Sequence, residues 1–163
     1  MSTEQEIRAA VERFYQALNR NLNGDPTAML ELWTHGPEAT AQHPGGGRHL
    51  GWDEVRGAWE AWAANISGGR IEPEDVVVRL VTPEVAVVTG VERGEGTIGP
   101  ETIRVGSRVT LVLRREGREW KAVHHHLDVI PRLQAVIQAA TGAATAGVSG
   151  ARIGAAPEAA AGA

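Results

Sequence analysis

Three of the six histidines in this chain stand side by side in "AVHHHLDVIP", residues Ala122 to Pro131. Histidine ordinarily titrates near pH 6.5, so it can take up a proton, release one, or bind a metal. The stretch reads as a β-strand, in which successive side chains point to opposite faces. His124 and His126 therefore share a face, about 6.6 Å apart along the strand, while His125 takes the other. Three such neighbours cannot close around one ion, and the pair on one face lacks a third ligand, so no metal site is expected.

A second candidate group lies on the preceding strand. Val109, Leu111 and Leu113 make one side of it apolar, and Arg108, Thr110, Val112 and Arg114 make the other mixed. A mixed face suits a polar pocket and an apolar one suits a partner, so Arg108 and Thr110 are expected inside. An arginine in an apolar pocket needs an anion. Either a ligand carboxylate or enolate supplies it, or Glu101, Glu119 or another acidic side chain does.

The elements that must position these groups follow from periodicity. Ile7, Ala10, Val11, Phe14, Leu18 and Leu22 recur every three or four residues, which predicts an amphipathic helix ending near Gly24. Asp25-Pro26 offers a cap and a first-turn proline for a short second helix through Trp33. "ATAQHP", "GGG" and "RHLG" predict a small hairpin. Val55, Trp59, Trp62 and Ile66 mark a third helix that stops at Gly68-Gly69. The period then changes to two, giving four strands: "IEPEDVVVRLVT", "EVAVVTGVER", "ETIRVGSRVTLVLRR" and "EWKAVHHHLDV". Turns are expected at Pro83-Glu84, in "GEGTIGP" and at Glu116-Gly117. Helices first and a meander afterwards predict an α+β domain over residues 1–130. A short helix follows over 131–140, and the Ala/Gly-rich stretch 141–163 is expected to be a mobile tail.

Composition narrows the classes. A chain of 163 residues supports one domain that buries roughly 70% of its unfolded surface. Sixteen basic against twenty acidic side chains, interspersed along the chain, argue against nucleic acid as a partner. With no cysteine there are no disulfides, thiol nucleophiles or cysteine-bound zinc. No apolar run reaches signal or membrane-span length, so no membrane partner and a cytoplasmic location are expected. "GGG" at Gly45 to Gly47 is followed by no Lys-Ser/Thr and opens no helix, so it is not a phosphate loop. No cofactor is expected.

This succession of elements, with "LWTHGPEATAQHPGGGRHLGWDEVRGAWE" and "RVTLVLRREGREWKAVHHHLD", resembles the NTF2-like superfamily from about Glu4 to Ile130. The likeness is to its SnoaL-like and ketosteroid-isomerase-like branch, which also includes the association domain of calmodulin-dependent kinase. It implies a cone in which a strongly bent, mostly antiparallel sheet wraps three N-terminal helices. A pocket opens at the wide end, and the convex face forms a homodimer. The superfamily includes isomerases, cyclases, dehydratases, epoxide hydrolases and non-catalytic binding modules, so the fold alone leaves function open.

The resemblance also places individual residues. His43, just before a proline in "TAQHPGGG", matches the position of the isomerases' aspartate base. Kinase association domains imply that Val123, His125 and Leu127 face the cavity and that Ala122, His124 and His126 lie outside. The isomerase oxyanion hole is missing: Phe14 matches its tyrosine, with Tyr15 alongside, and its acid position falls near Arg108 or Val109. Neither a cyclase's aspartate nor an epoxide hydrolase's Asp-Arg-Asp set is recognisable. His35 and His49, beside glycines, are expected to face solvent.

The candidate catalytic residues are therefore His43, His125 and Arg108. The pocket is expected to hold Tyr15, Trp33, Trp59, Trp62, Thr110 and Leu127. One function open to such a cone is cofactor-independent isomerisation, cyclisation or dehydration of a hydrophobic, oxygen-bearing and, given Arg108, anionic small molecule. The other is a ligand-binding or oligomerisation module without turnover.

Overall fold

The computed structural model describes residues 1–143. Helix α1 (Thr3–Asn21) opens with a capping box in which the Gln5 amide donates to Ser2 Oγ and the Ser2 amide donates to Gln5 Oε1. Its stripe of Ile7, Val11, Phe14 and Leu18 is buried, as is Tyr15. Each fully buried side chain of this size contributes about 1.5–3 kcal/mol.

Helix α2 (Thr27–Glu31) starts where Asp25 Oδ1 accepts the Thr27 amide at 3.1 Å. It ends before Trp33 because the sheet claims the backbone there. The Ala122 amide donates to the Leu32 carbonyl at 2.8 Å, and the Thr34 amide donates to Ala122 at 2.9 Å. The hairpin forms as β1 (Thr40–Gln42) and β2 (His49–Leu50). Helix α3 (Trp52–Asn65) buries Val55, Trp59 and Ala63.

Four long strands follow: β3 (Ile66–Thr82), β4 (Val85–Ile98), β5 (Glu101–Glu116) and β6 (Glu119–Leu127). Two boundaries differ from expectation. Strand β3 begins at Ile66 rather than after Gly68-Gly69, and most of "GEGTIGP" pairs, leaving the turn at Gly99-Pro100. Helix α4 (Pro131–Ala143) runs three residues past its expected end. The tail expected from Thr141 lies outside the described residues beyond Ala143.

The six strands form one curved, unclosed sheet in the order β2-β1-β6-β5-β4-β3. Every pair is antiparallel except β1 with β6. Bulges bend it, with three register shifts in β3 and one between β5 and β6. At Gly94 a Cβ would sit 1.8 Å from the Arg70 carbonyl, so only glycine permits so close an approach of β4 to β3. The helices pack on the concave side, giving an α+β cone.

Two face assignments are corrected. On β5 the apolar side, Val109, Leu111 and Leu113, is buried inside the cone, and the mixed side, Arg108 and Thr110 included, faces out. Hydrophobic burial prevails over the pocket's need for polarity. On β6, Leu113 pairs with Ala122 and Val112 with His124, leaving Val123 as an extra, bulged residue. The bulge resets the alternation, so Trp120 and Ala122 face the core and so do His125 and Leu127. Ala122 is thus inside rather than convex, whereas Val123 is only half-buried.

Candidate functional site

The cone holds a hollow of about 70 Å³ that is open on one side. Leu18 of α1 and Leu22 at its C-terminal cap, Trp59 and Trp62 from α3, and Ile71, Ile103, Val105 and Leu127 from the sheet supply its apolar wall. The C-terminal helix covers one side. Leu133 of α4 lines the hollow, the Ile130 amide donates to the Pro44 carbonyl at 2.9 Å, and Arg132 pairs with Glu101 at 2.6 Å. Gly45 lies directly under α4, where a Cβ would meet Ile137 Cδ1 at 2.5 Å and the Trp62 ring at 3.1 Å.

Four ionisable side chains line this wall; Glu95 is exposed, and the buried ones are His43, Glu92 and His125. All three are at least 96% buried. Glu92 Oε1 accepts the Tyr15 hydroxyl at 3.0 Å and faces His125 Nε2 at 3.4 Å. The second distance is long for a hydrogen bond, as catalytic contacts often are without a ligand. Burial, then the neighbouring Glu92 charge, pushes the Tyr15 phenol up, so it stays protonated and remains the donor. A carboxylate that accepts from Tyr15 favours the His125 tautomer with its proton on Nε2. His125 Nδ1 is left with a free lone pair and, buried, has no hydrogen-bond partner.

His43 stands next to this cluster, its ring 6.1 Å from His125, 4.7 Å from Trp59 and 5.8 Å from Trp62. Burial foremost, then the charges of His125 and His49, holds its pKa well below the usual histidine value. It is neutral at pH 7, and its Nε2 is also buried without a partner. The arrangement pairs a carboxylate-backed imidazole with a neutral imidazole in an apolar wall. An imidazole backed in this way is a proton acceptor, and both unpartnered ring nitrogens are themselves buried.

A SnoaL-like domain model matches residues 7–131. The chain belongs to the SnoaL-like domain family. Among solved structures, this SnoaL-like chain is similar to a Streptomyces avermitilis protein proposed to be a dehydratase of the NTF2-like family. That match has 24% identity and a TM-score of 0.66, and covers 78% of this chain and 95% of the other. It is also similar to a proposed calcium/calmodulin-dependent protein kinase type II association domain from Thiobacillus denitrificans, with 25% identity, a TM-score of 0.57, and coverage of 76% and 94%. A proposed scytalone dehydratase from Novosphingobium aromaticivorans matches at 13% identity and a TM-score of 0.66, with coverage of 76% and 81%. No curated protein matches the chain.

Within this SnoaL-like cone the residues singled out from sequence separate into two sets. His43, His125, Trp59, Trp62 and Leu127 line the hollow. Tyr15 stands one hydrogen bond behind it, through Glu92. Trp33 is core, packed against Trp59 with ring centroids 6.2 Å apart. Arg108 and Thr110 lie on the opposite face of the sheet, in an outer groove. Arg108 is exposed there and binds Asp128 at 2.7 Å, so it is removed from the candidate catalytic set, and the reason to expect an anionic ligand goes with it. His124 and His126 share that outer face, and His124 Nδ1 hydrogen-bonds Thr40 Oγ1 at 2.7 Å. His35 is exposed, but His49 is half-buried with its ring 5.3 Å from His43. Glu92 was not singled out. Its signal was the alternation Ala86, Val88, Gly90, Glu92 on one side of β4, obscured because Val85, Val87 and Val91 make the other side apolar as well.

Proposed function

We propose that this SnoaL-like domain is a cofactor-independent proton-transfer enzyme, an isomerase, cyclase or dehydratase acting on a small hydrophobic molecule that carries an oxygen. One observation carries the proposal: the buried Glu92–His125 pair in the wall of an apolar hollow, with His125 Nδ1 unengaged. His125 removes a proton from a carbon beside the oxygen-bearing carbon, and Glu92 stabilises the imidazolium that forms. The same proton then passes to a second carbon in an isomerisation or to a departing hydroxyl in a dehydration, so no co-reactant is consumed. Tyr15 fixes the carboxylate, and neutral His43 meets the substrate oxygen. Two proteins of similar fold are proposed dehydratases, which agrees with this class of chemistry.

The test is loss of water from small β-hydroxy ketones, with the wild-type chain compared with His125→Gln, Glu92→Gln and His43→Gln. Turnover falling by about 10² or more in His125→Gln, the usual effect of a positioned base, is the expected result. Equal rates in all four proteins contradict it.

A second possibility is a binding or oligomerisation module that uses the hollow without turnover. Similarity to a proposed kinase association domain at 25% identity favours it. Any homodimer would form through the outer face of the sheet, which carries Thr89, Arg108, Thr110 and His126 and is therefore mixed rather than apolar.

A further inference from the structure

The charges around the hollow bear on what it admits. Among the described residues its lining includes two carboxylate-bearing residues, Glu92 and Glu95, and no lysine or arginine. Arg108 is engaged with Asp128 on the far side of the sheet, and Arg132 of α4 with Glu101 of β5. Glu92 already occupies the wall as a buried acid, hydrogen-bonded to Tyr15.

A ligand carboxylate entering beside Glu92 would lose its hydration, meet a like charge and find no free cation. The rest of the lining is largely apolar, so a neutral carbonyl or hydroxyl oxygen can be carried in at far smaller desolvation cost than a charge. Burial keeps His43 uncharged, so it could balance an anion only by first taking up a proton.

Building on the pocket described above, we infer that the hollow selects uncharged ligands bearing one carbonyl or hydroxyl oxygen and excludes carboxylates of the same shape. At about 70 Å³ the hollow takes only a compact apolar group of such a ligand, and the remainder of a ketone, aldehyde or alcohol extends through its open side.

Acetophenone and benzoate form a matched pair, nearly identical in shape and different in charge. The experiment titrates each at pH 8 into the ¹⁵N-labelled full chain and follows the indole N–H signals of Trp59 and Trp62. Acetophenone is expected to move both signals saturably, and benzoate to bind at least about tenfold more weakly. Glu92→Gln is expected to narrow the gap, because it removes the buried like charge. Benzoate binding as tightly as acetophenone overturns the selectivity while leaving proton transfer standing. If neither compound moves the signals, the selectivity and the pocket on which it rests are both overturned. Acetophenone bound without any catalysis leaves the selectivity in place and counts only against the enzyme.

Discussion

Glu92 and His125, 33 positions apart in the chain, bring Oε1 and Nε2 to 3.4 Å inside the cone, each about 98% buried. Neither element would hold them there alone. Strand β5 lies between β4 and β6, and the bulge at Val123 turns His125 inward so that it meets the carboxylate diagonally across Leu111 and Val109.

The first prediction concerns Tyr15. Tyr15→Phe removes the one donor that holds Glu92 Oε1 at normal hydrogen-bond length, leaving a buried carboxylate under-satisfied at a cost of about 1–3 kcal/mol. In the Glu92→Gln background the same change should cost clearly less, because the charge it serves is gone. Urea unfolding of the four proteins in this cycle measures the coupling, and purely additive effects would contradict the proposed contact.

A second prediction concerns acid. Burial depresses the pKa of His43, His49 and His124, in each case as the largest cause. The unfolded chain protonates these rings near pH 6.5 and the folded chain only below that, so protons favour unfolding. Stability present above about pH 6.5 should therefore be lost as pH falls towards the depressed folded values. Unfolding curves between pH 7.5 and 5 should show this decline, and His43→Gln should flatten it.

Much of the architecture was legible because helices and strands with a buried face must repeat every three to four or every two residues. The stripe on α1, the Trp59–Trp62 helix and the meander all follow from that requirement. The site was less legible for two physical reasons. A β-bulge adds one residue without any sequence mark, so the phase of Trp120 and Ala122 does not carry through to His125. On β4 and β5 both faces contain valine, and local pattern alone does not say which one the helices cover. That ambiguity placed Arg108 inside and passed over Glu92.

The third prediction follows from that correction. Arg108 is exposed and bound to Asp128 on the outer face, so Arg108→Ala should leave both turnover and ligand binding at wild-type levels. Kinetics on the substrate that His125→Gln fails to turn over would check it, and a large loss of rate would return Arg108 to the site.

The fourth concerns the cover over the hollow. Gly45→Val places methyl groups where Ile137 and Trp62 now pack, so α4 should loosen while the strands stay protected. Amide hydrogen exchange should then speed up across residues 131–143 and remain unchanged in β4 and β5.

The most direct test of the central claim needs no knowledge of the natural substrate. Exchange of the methyl protons of acetophenone with D₂O, followed by proton NMR, reports removal of a proton from a carbon beside a carbonyl. The wild-type chain should accelerate this exchange well above buffer, and His125→Gln should return it to the buffer rate while still binding the ketone. Equal exchange in the two proteins, with acetophenone bound to both, would mean that the Glu92–His125 pair does not move protons on a ligand.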